Sequence, residues 1–204
     1  MCTRFYYDNS IPALDEVAKE AASSPLASKF IANLSKPIIS NGEVRPTDVV
    51  PVYAPDKDGN KAVFPMKWGF TGKTLLINAK SETAAIKPTF RDAWGSHRCI
   101  VPASWYFEWE HFLTNNGKKK TGDKFMLQPK GSSVTWLCGL YRIENGLPCY
   151  VVLTREPSEE IRFIHDRMPL MLPETYVDDW IRPDAKPEEI IKAAQTDILY
   201  ERVS

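Results

Sequence analysis

The chain has no charge to spare in either direction: 26 Lys and Arg stand against 26 Asp and Glu over 204 residues. No global field draws in a polyanion, so a nucleic-acid partner would need a local basic patch. No apolar run is long enough to span a bilayer, and no secretory signal pattern is present. Membrane-spanning and secreted classes are set aside, and a cytoplasmic location is expected. Histidines number only three, His97, His111 and His165, and they are scattered. The four cysteines, Cys2, Cys99, Cys138 and Cys149, show no C-x-x-C spacing. Neither a metal-ligand cluster nor a disulfide framework follows, and no metal or cofactor is expected. Cys99, Cys138 and Cys149 sit in apolar, strand-like runs, which predicts buried thiols in a reducing compartment. Internal repeats and low-complexity tracts are also lacking.

The length fits one domain, expected over 1–204, and is enough to bury a core without staples. Apolar runs of strand length recur: "CTRFYY", "VVPVYA", "KAVFPMKWGF", "LLINAK", "RCIVPASWYFEWEHFL" with a bend near Pro102, and "KFMLQP" after a hairpin loop, "NNGKKKTGD". "SVTWLCGLYRI" and "PCYVVLTRE" form a further hairpin across "ENGL". Pro51 and Pro65 predict edges or bends. "SKPIISNGEVRPTD" reads as a surface loop. "PALDEVAKEAAS", two short pieces of "SETAAIKPTFRDAW" broken at Pro88, "SEEIRFIH" capped by Ser158, "PETYVDDWI" and "KPEEIIKAAQ" read as helices. The sum is a β-rich α+β protein.

The N-terminal "MCTRF" carries the first chemical signal. The methionine before a small residue is usually trimmed, and trimming makes Cys2 the N-terminus. An N-terminal cysteine holds an amine with a pKa of about 7.7–8 beside a thiol at about 8.5. That pair suits an aldehyde: the amine gives a Schiff base, and the thiol then closes a thiazolidine ring. The plainer alternative is a small hydrophobe at the start of an edge strand.

Three further stretches look chemical. In "LLINAKSET", Asn78 is expected where a buried strand ends, presenting either a functional amide or a turn-closing one. In "VPASWYFEWEHF", alternation puts Trp105, Phe107 and Trp109 on one face and Tyr106, Glu108 and Glu110 on the other. Partial burial among aromatics would raise the Glu108 pKa and make it a general acid. Solvent exposure on a half-buried sheet is the alternative. In "FIHDRMPLML", His165 suits proton transfer near neutral pH, with Asp166 and Arg167 placed to orient it or to bind an anion. A histidine at a helix C-terminus is the alternative.

"MCTRF", "PMKWGF", "INAKSET", "RCIVPASWYFEW" and "IHDRMPLML", taken together and in this order, resemble the SOS-response-associated peptidase (SRAP) family of abasic-site processing proteins. The resemblance runs from Cys2 to about Leu172. It implies a β-rich single domain of barrel-like antiparallel sheets with peripheral helices, and a positively charged groove for single-stranded DNA. It implies Cys2 as catalytic cysteine, exposed by autocatalytic removal of Met1, with Asn78, Glu108 and His165 as its active-site partners. It implies covalent crosslinking to the ring-opened aldehyde of an abasic site, with AP-lyase chemistry open if the Schiff base persists. The partner is then single-stranded DNA containing abasic sites, the chain is expected to be a monomer, and its place is at the nucleoid during DNA damage. Two departures stand out: Thr3 replaces the usual glycine after the cysteine, and Lys80 replaces an arginine, which keeps charge but loses the bidentate fork.

Within that reading Arg4, Lys80 and Arg167 are the candidate phosphate contacts, which position a strand without reading sequence. Trp68, Phe70 and Tyr106 either stack on bases or fill the core. The lysine run at 117–120 fits a solvated hairpin tip. Two other classes remain open on the residues alone. One is an N-terminal-nucleophile hydrolase or amidotransferase using Cys2, and the other is a non-catalytic single-stranded-DNA binder.

Overall fold

The computed structural model describes residues 2–114 and 116–203, with the side chains of Leu113 and Lys119 left aside. Met1, Asn115 and Ser204 lie outside the described residues, so the expected removal of Met1 and part of the hairpin loop are not addressed by it.

Five strands close into a barrel: β3 (Val49–Pro55), β4 (Lys61–Trp68), β6 (Arg98–Ala103), β9 (Thr135–Glu144) and β10 (Leu147–Arg155). Pairing runs β10 to β4, β4 to β3, β3 to β6, β6 to β9, and β9 back to β10. The barrel interior is filled by Val50, Val52, Met66, Val101, Leu137, Val152 and their neighbours, mostly the β-branched and aliphatic types that pack on a pleated surface. Gly139 marks its tightest point, since a Cβ there would lie 2.9 Å from both Cys99 Sγ and the Val151 carbonyl. Cys99, Cys138 and Cys149 are buried free thiols, as their apolar surroundings predict.

Pro51 and Pro65 face each other in the β3–β4 ladder. Neither can donate, but each strand's other side is paired only farther along, at Tyr53 with Ile100 and at Lys67 and Trp68 with Cys149 and Tyr150. The prolines therefore occupy local edges inside a closed barrel.

A second sheet has the order β13 (Ile198–Arg202), β8 (Lys119–Pro129), β7 (Trp105–Leu113), β1 (Arg4–Tyr7) and β2 (Gly42–Val44). The last strand lies inside the segment that reads as a surface loop, where it pairs with β1. Chain passes from barrel to sheet at Ser104. Its N–H donates to the Tyr6 carbonyl, its hydroxyl accepts from the Asp8 N–H, and its carbonyl accepts from the Thr135 hydroxyl, all at 2.9 Å. A buried serine so fully bonded fixes the corner that aims β7 back along β1.

Helices α1 (Pro12–Ser23) and α2 (Pro25–Leu34) lie outside the barrel, and α3 (Ser81–Ala84) and α4 (Arg91–Ser96) are the two pieces separated around Pro88. Near the C-terminal end, α6 (Pro187–Ile190) is held by the Trp94 Nε1–H donating to Glu188 at 2.8 Å, and α5 (Val177–Ile181) is tied down by Arg98. This fully buried guanidinium donates to the carbonyls of Trp94, Gly95, Trp180 and Arg182. The segment "SEEIRFIH" forms only a 3-10 turn, Glu159–Ile161, and the Ser158 side chain caps nothing. One turn is too short to repay helix nucleation. Among the described residues no helix is long and apolar enough to cross a membrane.

Candidate active site

The sheet and the barrel meet along β1 and β7 on one side and β5 (Asn78–Lys80), which pairs in parallel with β10, on the other. Between them lies a cleft of about 660 Å³, lined by Thr3, Lys80, Glu108, His111, His165 and Arg167 among others.

Cys2 lies fully buried just behind this lining. Its thiol donates to the Arg4 carbonyl at 3.7 Å. Burial pushes the thiol up to about 12, and the charge of Glu108 adds to the shift. The Asn78 amide spans the joint between the two sheets, its Nδ2 donating to the Cys2 carbonyl at 2.8 Å. Its Oδ1 is buried with no hydrogen-bond partner among the described residues. Leu75–Ile77 do not form the expected strand. Leu75 is 42% exposed, and Asn78 opens β5 instead of closing a longer strand. A three-residue strand suffices because β10 supplies its ladder.

Glu108 points inward with Tyr106 and is 4% exposed. The half-exposed alternative for this carboxylate is overturned: β7 is covered on this face by the segment leading to His165. Burial raises the Glu108 pKa, with the charge of Asp166 acting in the same direction. His165 is also buried, at the cleft edge. Its Nδ1 lies 3.0 Å from the Arg167 N–H and 2.7 Å from Asp166 Oδ1. The neutral ring accepts from the amide, and the protonated ring donates to the carboxylate. With Nδ1 accepting, the proton sits on Nε2.

His111 was not singled out as a site residue by sequence reasoning. The structure brings its ring to 4.5 Å from that of His165, and its N–H donates to the Ile164 carbonyl at 3.0 Å. A register shift between Trp109 and His111 re-aims the strand here, and such bulges leave little trace in sequence.

Other candidates fall elsewhere. Trp68 and Phe70 are fully buried and Tyr106 nearly so, so all three are core residues rather than rings offered to bases. The Trp68 Nε1 donates to the Ile77 carbonyl, and its ring stacks on Tyr150. Arg4 lies off the cleft lining and pairs with Glu43 at 3.0 Å. Arg167 does reach the cleft, but its guanidinium grips Glu82 with two bonds of 2.9 and 2.8 Å and donates to the Thr154 carbonyl. It braces the wall. Of the three proposed phosphate contacts, Lys80 alone is exposed at the cleft. Among the described residues, no group of three His, Cys, Asp or Glu side chains is arranged to hold a metal ion.

Comparison with known proteins settles the family. The description "SOS response associated peptidase (SRAP)" matches residues 1–204. The chain belongs to the SRAP family. "Abasic site processing protein YoaM" of Bacillus subtilis is 35% identical over 113 residues, which is 53% of this chain and 48% of that protein. "Abasic site processing protein YedK" of Escherichia coli is 29% identical over 150 residues, 68% of this chain and 64% of that one. The chain thus spans about half the length of the Bacillus relative. A solved structure from Bacteroides thetaiotaomicron shares the fold, with a TM-score of 0.70 at 18% identity, covering 98% of this chain and 92% of that one.

Proposed function

We propose that this SRAP protein processes abasic sites in single-stranded DNA by forming a covalent link through Cys2. The observation that carries the reading is the Asn78 bond to the Cys2 carbonyl, which holds residue 2 beside Glu108 at the base of a cleft. A buried cysteine packed for stability alone does not call for an amide from another sheet, a buried carboxyl and an imidazole around it.

The chemistry follows from these groups. Removal of Met1 frees the Cys2 amine. His165, as the imidazolium whose Nδ1–H is held by Asp166, gives a proton from Nε2 to the ring oxygen of the closed sugar; the anomeric hydroxyl loses its own proton, which recharges the ring, and the sugar opens to its aldehyde. The amine adds to C1′ and forms a carbinolamine. Glu108, whose burial favours the protonated form, gives its proton to the carbinolamine hydroxyl, which leaves as water. The resulting iminium carbon accepts the Cys2 sulfur, and the thiol proton passes to the Glu108 carboxylate. The product is a thiazolidine, and Glu108 is restored. Asn78 Oδ1, a buried acceptor without a partner among the described residues, accepts the amine N–H in this reading. Lys80 supplies a phosphate contact. If the thiol step is slow, loss of the 3′ phosphate from the Schiff base gives a lyase product.

The test is incubation with single-stranded DNA carrying an abasic site. A denaturant-stable protein–DNA species is the expected result, absent with a tetrahydrofuran analogue that cannot open to an aldehyde. Ammonia release from glutamine without such a species would favour an amidotransferase and overturn the reading.

A further inference from the structure

The inner face of the second sheet carries more than the proposed chemistry uses. Phe125 sits directly opposite Glu108 in the β7–β8 ladder, and Arg202 sits opposite Phe125 in the β8–β13 ladder. Tyr106, Leu127 and Tyr200 form the adjoining row. Directly paired residues share a face, so Phe125, Tyr200 and Arg202 continue the surface on which Glu108 stands. Phe163, two residues before His165, folds over this corner. Its ring lies 5.7 Å from Phe125 and 5.6 Å from Tyr200, both edge-on, and Phe125 and Tyr200 are 6.1 Å apart at 69°. Phe125 is buried, while Phe163 and Tyr200 remain 48% and 46% exposed. Edge-to-face packing on a buried ring fixes the planes of the two exposed ones. Arg202, mostly exposed, adjoins them and pairs with Asp123 at 3.0 Å.

We propose that Phe163 and Tyr200 form an aromatic corner for a base of the DNA strand whose reacting sugar lies at Glu108, the base lying face-on to one ring and edge-on to the other, with the exposed Arg202 exchanging its Asp123 contact for a neighbouring phosphate. The proposal rests on the abasic-site reading above. Position is its main support: the rows of Phe125, Tyr200 and Arg202 lie on the sheet face that carries Glu108, and Phe163 is laid over them from the segment that ends at His165. Chemistry is the second, since flat rings beside a guanidinium suit a base and its phosphate, and every base offers a π-face. Reach is the third. Glu108 and Arg202 are two strand spacings apart, about 10 Å, which is about three nucleotides of a stacked strand rising 3.4 Å each. The corner reads no sequence. It compensates for Trp68 and Phe70, which are buried and offer no ring to the strand.

The experiment uses the full chain and single-stranded oligonucleotides carrying a tetrahydrofuran lesion, so that binding is read without crosslinking. 2-Aminopurine is placed at successive positions on either side of the lesion. The expected result is quenching centred about three nucleotides away on one side only. Phe163→Leu and Tyr200→Leu keep apolar bulk and lose the flat ring. Each should abolish that quenching and weaken binding about 5- to 150-fold. Arg202→Gln should lower the salt slope of binding by about one. The wild-type map needs no variant: binding with no quenched position at that distance overturns the aromatic corner, as a protein-facing patch would. Quenching and affinity unmoved in both Leu variants also overturn it, and either outcome leaves the abasic-site reading standing. Failure of the wild type to bind the oligonucleotide overturns both.

Discussion

Two glutamates stand at the cleft, Glu108 in its lining and Glu82 behind Arg167, and the two have opposite surroundings. Glu108, on β7, is buried among Cys2, Tyr106 and Asp166, and burial raises its pKa. Glu82, on α3, is also partly buried, which pushes it up, but the two bonds from Arg167 outweigh that and hold its carboxyl below the usual range. The first environment favours the protonated carboxyl; the second favours the charged one and ties it to Arg167. Environments that push two like groups apart assign their roles.

The comparison is broken most severely at its reactive end. Cys2→Ala should abolish the stable crosslink, because no ring can form, and a full-strength crosslink from that variant would remove Cys2 from the account. Glu108→Gln comes next, with crosslinking slowed about 10²–10⁴-fold, the usual worth of a general acid–base group. The same variant should be more stable than wild type at neutral pH. A carboxyl whose folded pKa is raised gives stability that is full below its ordinary value of 4.5 and is lost as pH rises through the folded value. Melting curves against pH should therefore flatten on the alkaline side in Glu108→Gln. A change in crosslinking below about threefold would make Glu108 structural.

His165→Ala should slow both crosslinking and its reversal by about 10²-fold, most where sugar opening limits the rate. A time course at several pH values, beside a melting curve, reads this. At the other glutamate, Glu82→Gln should cost only about 0.5–1 kcal/mol, because Glu82 is half-exposed and screened and Arg167 keeps its bond to the Thr154 carbonyl. The sign differs from that of Glu108. A lowered pKa gives stability present above 4.5 and lost as pH falls through the folded value, so the variant's deficit should vanish in acid. Smallest of all, Lys80→Ala should weaken binding uniformly across sequences and reduce the salt slope by about one.

The strands, the β9–β10 hairpin and the break between α3 and α4 were legible because period-two runs and proline punctuation are local signals. The inward side of Glu108 followed from alternation, although alternation alone did not say which face is covered. Asn78 was found in the right stretch for a partly wrong reason: its strand begins where one was expected to end, since β10 and not local pattern creates it. The phosphate contacts were the least legible. Arg167 and Arg4 carry the right charge, but their partners Glu82 and Glu43 lie 85 and 39 positions away in the chain. The pairing of His111 with His165 was hidden for the same reason.

The central claim is that residue 2 itself becomes bonded to the lesion, and intact mass tests it most directly. The active protein, mixed with an abasic oligonucleotide, should give one species whose mass is that of the chain without Met1 plus the oligonucleotide, less one water. Fragmentation should place the added mass on Cys2. An adduct on a chain that retains Met1, or an equal adduct on Cys2→Ala, would contradict the account.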